Sequence, residues 1–260
     1  MLFLIYFFIF FLGTLIGSFM NVVVLRMPEG KDVVFDRSGC PKCKNQISWY
    51  DNIPIFSFII LKAKCRKCHT PISFQYPLFE IWHGLIALII FYDFEMMGHI
   101  GLYISLCKFF IAAIFSAHIL IDIKHQLLLD SLNIALIPFV VVLVWLNGGW
   151  QDSLIGASVG FFFPLLVTWI FYLVRGKIGL GGGDIKLFGV LGALFGLKGV
   201  VLNIFSSCIL GSVITICLII LKKTNPDHYI PFGPYILAVA LTQLLLPDYF
   251  AQWQNFLIPY

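Results

Sequence analysis

The sequence predicts an all-α polytopic membrane protein with about eight transmembrane helices and a cytoplasmic zinc-knuckle loop after the first. The composition supports the membrane class, because 60% of the 260 residues are hydrophobic and 12% are charged, with a mean hydropathy of +0.96. Soluble domains carry about 25% charged residues. Long apolar runs and one polar stretch with paired cysteines supply the two other observations.

The apolar runs predict eight spans, each able to form most of a membrane helix of ~20 residues. They are 2–25, 77–92, 100–121, 132–146, 153–174, 187–197, 200–221 and 232–247. The first run has no charge and no basic segment before it, which favours a retained span over a cleaved signal peptide. The sixth run is short, so its helix is expected to begin within the glycine-rich residues before it.

The basic residues predict which face of the membrane is cytoplasmic. With eight spans, every lysine and arginine except Lys108 and Lys198 falls on one side. Cytoplasmic loops are enriched in these residues, so that side is predicted to be cytoplasmic and both termini to be outside. The net charge of +4 follows this topology. The net charge therefore says little about nucleic acid; the expected partner is a lipid bilayer, and no nucleic acid is expected.

The loop at about 26–76 contains two C-x2-C pairs, which are Cys40 with Cys43 and Cys65 with Cys68. This spacing is typical of a four-thiolate zinc site. Cytosolic thiols stay reduced, which argues against disulfides. Zinc would add folding free energy to a loop too short for a large core. A redox-active dithiol pair is the alternative that the spacing leaves open.

A glycine-rich motif, Gly181-Gly182-Gly183-Asp184 followed by Lys186, lies between two apolar runs. Glycines permit close approach of another backbone. An acid at the edge of a membrane helix is costly unless it has a partner or a function. We interpret the motif as a loop that receives an extended peptide, with Gly181, Gly182, Gly183 and Lys186 near the substrate.

A second acid, Asp122, ends the third predicted span at the same depth as Asp184. Two facing carboxylates can share a proton and activate a water molecule between them, as in aspartic proteases. Asp130 is the rival for the first acid, but capping of the next helix explains it adequately. We therefore prefer Asp122 with Asp184 as the catalytic pair, and this preference rests partly on the family resemblance given below.

Two other functions remain open at this point. Paired acids within a membrane can serve as the proton relay of a proton-coupled transporter. The protein could also be a zinc-bearing membrane scaffold in which Asp122 and Asp184 pair with Lys124 and Lys186, each two residues away from an acid. The transporter leaves the glycine motif and the cysteine pairs unexplained, whereas the scaffold stays open.

Taken together, these motifs resemble the type IV prepilin peptidases, bifunctional leader peptidases and N-methyltransferases of bacterial pilus and type II secretion systems. The similar segments are Gly17-Ser18-Phe19-Met20-Asn21, both cysteine pairs, Tyr50-Asp51-Asn52-Ile53-Pro54, Tyr76-Pro77, Glu80, Ile121-Asp122, Gly181 to Leu187 and Pro231-Phe232-Gly233-Pro234. One departure is Leu129, which stands where the family usually has proline, so the shape of that turn is in doubt.

The resemblance implies a GxGD aspartic peptidase of the bacterial inner membrane, with its active site facing the cytoplasm and Asp122 and Asp184 as catalytic residues. It implies cleavage of a prepilin or pseudopilin leader after glycine, then methylation of the new N-terminus by S-adenosylmethionine. The expected division is a first helix at 1–25, a four-cysteine zinc-binding loop at 26–76 and a peptidase core at 77–260. No G-x-G-x-x-G loop marks the methyl-donor site, so its residues stay unassigned.

Overall fold

The computed structural model describes residues 2–92, 98–177, 179–221 and 231–257, with side chains up to residue 253. Outside the loops, these residues are helical. The described residues form nine α-helices and no β-strand. The helices are α1 (Leu2–Arg26), α2 (Phe56–Ile60), α3 (Gln75–Ile90), α4 (His99–His125), α5 (Asp130–Asn147), α6 (Trp150–Arg175), α7 (Gly182–Ile220), α8 (Gly233–Leu245) and α9 (Pro247–Leu257). Lys222 and Lys223, two of the lysines used to predict the cytoplasmic face, lie outside the described residues.

Five helices, α1, α4, α5, α6 and α7, are long and apolar enough to cross a membrane. The helices α8 and α9 add a sixth if their pair, bent by 105°, counts as one span. The helix α3 is apolar but has 16 residues. These helices confirm a mostly helical, multi-pass membrane protein, but they do not confirm a count of eight spans.

The predicted sixth and seventh spans lie in the two helical segments of α7, which meet at a kink at Gly196. This residue has φ 70° and ψ −174°, a backbone conformation that essentially only glycine adopts. The next residue, Leu197, donates its N–H to the Asp152 side chain on α6, with N and Oδ1 3.2 Å apart. Asp152 thus caps the second segment of α7 in the way that an N-cap residue does.

The helices α6 and α7 pack with their backbones in direct contact. A Cβ atom added at Gly156 or Gly160 of α6 would collide with the α7 backbone at Gly192 or Phe188. Small residues at such positions let membrane helices approach closely. This packing holds the first segment of α7, whose N-terminus carries Asp184.

The chain divides into two compact units, Met1–Gly101 and Leu102–Tyr260. In the first unit, α1 packs on α3 through glycines. A Cβ at Gly13 would lie 2.7 Å from the His83 carbonyl oxygen, and one at Gly17 would lie 2.9 Å from the Glu80 Cα. The first unit therefore joins α1, the cysteine-containing loop and α3 in one body.

Candidate active site

The two acids singled out in the sequence lie at the ends of two helices in the unit Leu102–Tyr260. Asp122 lies in the last turn of α4, and Asp184 lies in the first turn of α7. Both residues are buried, with 4% and 5% of their surface exposed. Their carboxylates are close enough for their charges to interact. The fold therefore brings together two acids that are distant in the sequence.

Asp184 is held by the glycine motif. The N–H of Gly181 donates to Asp184 Oδ2 at 3.2 Å. This hydrogen bond fixes the Asp184 carboxylate against the first turn of α7. A Cβ at Gly183 would lie 2.8 Å from the Leu128 Cβ, so this glycine is required by packing. Gly182 is different, because a Cβ there would meet no atom within 4 Å. Gly182 thus leaves open space beside the acid.

Asp122 is contacted by the start of α8. The Gly233 backbone lies directly against the Asp122 carboxylate. A Cβ at Gly233 would collide with Asp122 Oδ2 and would lie 3.1 Å from Leu128 Cδ1. The N-terminus of a helix also carries a partial positive charge, which favours a carboxylate beside it. A side chain at this position would therefore displace Asp122.

Gly233 is the part of this site that sequence reasoning missed. The motif Pro231-Phe232-Gly233-Pro234 entered the sequence analysis as part of a family resemblance, with no role attached. A glycine between aromatic and proline residues at the start of a helix indicates close backbone approach. The sequence does not say which side chain approaches, because the partner lies on another helix.

Asp130 and Lys186 form an ion pair near the two buried acids. The Lys186 Nζ lies 2.7 Å from Asp130 Oδ2, and both side chains are more than half exposed. Asp130 is the first residue of α5 but not its N-cap, which is Leu129, and no side chain caps this helix, so the predicted capping role of Asp130 is wrong. The Asp130 carboxylate accepts a hydrogen bond from Lys186 instead. Lys186 therefore contacts Asp130 in this structure, which argues against a scaffold in which Lys186 neutralises Asp184.

The four paired cysteines form a cluster in the unit Met1–Gly101. The Sγ atoms of Cys40, Cys43, Cys65 and Cys68 all lie within 4.8 Å of one another, and the Cys40 and Cys68 sulfurs are 3.7 Å apart. Tetrahedral zinc with Zn–S bonds of ~2.3 Å requires sulfurs about 3.8 Å apart. The donor set and its spacing therefore fit a four-thiolate zinc ion.

Both cysteine pairs have the same local fold. Lys44 follows the first pair with φ 57°, and its N–H donates to the Cys40 carbonyl at 2.9 Å. His69 follows the second pair with φ 54°, and its N–H donates to the Cys65 carbonyl at 3.0 Å. Two equivalent knuckles thus present their thiols to a common centre.

The neighbouring residue Thr70 lowers the pKa of the Cys68 thiol. The Thr70 Oγ1 lies 3.3 Å from Cys68 Sγ. Hydrogen bonds from the side chain and backbone of Thr70 lower the pKa of Cys68 to about 6. A lowered pKa favours the thiolate, which is the form that binds metals.

Comparison with known protein families assigns both units. Residues 11–94 match the bacterial peptidase A24 N-terminal domain, and residues 109–216 match the type IV leader peptidase family. The chain belongs to the type IV leader peptidase family. Each match falls within one of the two compact units, and Asp122 and Asp184 both lie in the second match. Family membership decides against the transporter and scaffold alternatives.

Curated relatives in this family extend over most of the chain. The prepilin leader peptidase/N-methyltransferase of Stutzerimonas stutzeri is 34% identical over 262 residues, covering 91% of this chain and 89% of that protein. The protein of the same name from Pseudomonas aeruginosa is 32% identical, covering 91% and 89%. That of Xanthomonas campestris pv. campestris is 34% identical, covering 86% and 85%. No solved structure matches significantly.

Proposed function

We propose that this chain cleaves the leader of type IV prepilin-like proteins after glycine, at the cytoplasmic face of the bacterial inner membrane, and methylates the new N-terminal amine. The observation that carries the proposal is the buried pair Asp122 and Asp184 in a type IV leader peptidase fold. The names of the relatives support both activities.

In the proposed cleavage step, the two carboxyl groups divide the work of acid and base. An ionised aspartate takes a proton from water as the water oxygen attacks the scissile carbonyl carbon. The other aspartate, protonated, gives its proton to the nitrogen as the C–N bond breaks. The Gly233 backbone packs against the Asp122 carboxylate and fixes its position, and the open space at Gly182 admits the extended substrate.

The cofactors have separate roles in this proposal. The four clustered cysteines, Cys40, Cys43, Cys65 and Cys68, would hold a structural zinc ion that closes the loop. S-adenosylmethionine supplies the methyl group. The new amine of a prepilin or pseudopilin must lose its proton before its nitrogen can attack that group.

The test is a single incubation of the purified protein with a prepilin and S-adenosylmethionine, read by product mass. Asp122→Asn and Asp184→Asn should each reduce leader cleavage by a factor of about 10² to 10⁴, the range of lost acid–base catalysis. Asp130→Asn is the matched control and should cleave within a few fold of the unchanged protein. Cleavage that survives either substitution in the buried pair would exclude these carboxylates as the catalysts.

A further inference from the structure

The unit Leu102–Tyr260 contains a groove of about 390 Å³ on the surface of α7, between α5 and α6. One charged residue, Lys186, lies at one end of this groove, and every other residue that lines it is apolar. The apolar lining includes Val141 of α5, Ala157 of α6, and Gly189, Val190 and Ala193 of α7. The cleavage step described above uses none of these apolar residues.

The groove follows one face of α7 away from the N-terminus of that helix. Its α7 residues recur at intervals of three and four, which places them in one stripe along the helix; they are Lys186, Gly189, Val190 and Ala193. Gly182 precedes Lys186 by four residues, so it lies on the same stripe, one turn nearer the N-terminus. The open space beside Gly182 therefore lies at the Lys186 end of the groove.

The charged end of the groove is the end that meets water. Lys186 is more than half exposed and forms its ion pair with Asp130 there. Lysine side chains near the ends of membrane helices extend their charged groups toward the aqueous interface. From Lys186 to Ala193 the stripe continues for roughly 10 Å at ~1.5 Å per residue, with apolar lining only. The occupant must therefore be apolar along this length and can carry charge only beyond Lys186.

Small residues form the floor of the groove, where α6 and α7 meet. A Cβ added at Gly189 would lie 3.4 Å from the Phe161 Cβ and 3.9 Å from the Ala157 carbonyl oxygen. The absence of a side chain at Gly189 thus keeps the floor low beside α6. On the α5 wall, Val141 is 58% exposed. Small residues on a membrane helix let a further helix approach closely, so the groove suits an apolar helix.

The groove and Asp184 lie on opposite sides of α7, which determines how one substrate chain can reach both. Asp184 precedes Lys186 by two residues, which is roughly 200° around a helix of ~3.6 residues per turn. A chain that leaves the groove must cross the N-terminal end of α7, at Gly182, to reach Asp184. A helix is ~10 Å wide, and an extended chain covers ~3.3 Å per residue, so about three extended residues make this crossing.

We propose that the groove binds an apolar helical segment of the substrate, beginning about three residues after the scissile bond, an inference that rests on the leader cleavage of the proposed function. The leader is cut off on the cytoplasmic side, so the part of the substrate that continues into the membrane is the part after the scissile bond. The groove runs from the mouth at Lys186 into the apolar region, along the path that this part must take. It thereby selects substrates in which an apolar helix follows the cleavage site closely.

Photocrosslinking of the full-length protein to a prepilin tests where this segment lies. The photoreactive residue p-benzoylphenylalanine replaces Val141, in the groove, or its neighbour Val142, which is 40% exposed and lies outside the lining. Both proteins carry Asp184→Asn, so that the bound prepilin is not cut. Position 141 should crosslink at least tenfold more prepilin than position 142, at residues after the scissile glycine. Equal yields, or crosslinks only to lipid, to the leader or to a second copy of this chain, would overturn the assignment.

Cleavage kinetics supply an independent test with groove-filling variants of the active protein. Val141→Trp and Val190→Trp place an indole ring in the groove, so each should raise the KM for prepilin at least tenfold. The matched controls Val142→Trp and Val213→Trp add the same ring at exposed positions outside the lining and should stay within twofold. Thermal midpoints measured on the same samples identify any variant that misfolds, and for such a variant the crosslinking yields decide. An unchanged KM in both folded groove variants would overturn the groove while leaving cleavage intact, whereas an unchanged protein that cuts no prepilin would overturn the proposed function itself.

Discussion

Gly233 and Asp122 are in such close contact that no side chain fits between them. An alanine methyl group at position 233 would collide with the Asp122 carboxylate. Gly233→Ala is therefore expected to rotate or displace Asp122 and to reduce kcat for leader cleavage about 100-fold, the cost of a displacement near 1 Å. The measurement is cleavage of a prepilin by the purified variant.

The control for this prediction is Gly149→Ala, directly before α6, where an added Cβ would meet no atom within 4 Å. It should retain nearly full activity. Normal cleavage by Gly233→Ala would mean that Asp122 does not need the position seen here.

Gly182 allows the substrate-loop interpretation to be tested apart from folding. An alanine there meets no atom within 4 Å, so thermal stability should not fall. If an extended prepilin backbone passes over Gly182, the added methyl group should raise the KM for prepilin about tenfold, equivalent to ~1.4 kcal/mol of lost binding. An unchanged KM would show that the substrate approaches from another side.

At the residue scale, the sequence predicts those site residues whose type is unusual for their surroundings. Asp184 follows a run of glycines, and Asp122 ends an apolar run, so both acids are visible as exceptions in a hydrophobic chain. The contact between Gly233 and Asp122 could not be predicted, because it joins two helices that are far apart in sequence. The ion pair of Lys186 with Asp130 was missed for the same reason.

At the scale of elements, the break in α7 depends on Asp152. Its carboxylate accepts the N–H of Leu197, so Asp152→Ala leaves the start of the second α7 segment without its cap. The expected loss is about 1 kcal/mol of unfolding free energy, as for other N-cap removals. A lower thermal midpoint of the detergent-solubilised protein measures it.

Asp152→Asn is the matched control, because an asparagine side-chain oxygen also caps a helix well. It should unfold near the midpoint of the unchanged protein. Equal stability of all three proteins would indicate that the break is maintained by helix packing alone.

The same break explains why the number of spans was hard to predict. The residues around Gly196 and Lys198 indicate a turn, which is why two spans, 187–197 and 200–221, are predicted in this region. The backbone leaves helical geometry at Gly196, so α7 consists of two segments that meet at a kink close to the predicted division. Hydropathy measures the length of an apolar run. It carries no information on whether two runs form one interrupted helix.

At the scale of the whole molecule, the two compact units carry different chemistry. The thiolate cluster and a cavity of about 560 Å³ beside it belong to Met1–Gly101, whereas the buried aspartates and the contacts that hold them belong to Leu102–Tyr260. The cysteine spacing was enough to predict the cluster, because both pairs are local. The cavity was not predictable, since α1, the loop and α3 must fold together to enclose it.

This division predicts that loss of the thiolate cluster separates the two activities. Cys43→Ser removes one of four ligands, so bound zinc should fall well below one per chain, and the cavity wall formed by Cys40 and Cys65 should lose its shape. Methyl transfer from S-adenosylmethionine should then be lost. Cleavage should persist, because Asp122, Asp184 and Gly233 and the contacts among them lie in the other unit.

Product mass distinguishes the outcomes, since cleaved but unmethylated prepilin is lighter by one methyl substitution. Cys208→Ser, at an exposed cysteine outside the cluster, is the control and should retain both activities. Parallel loss of cleavage and methylation in Cys43→Ser would show that the peptidase unit needs the folded thiolate module.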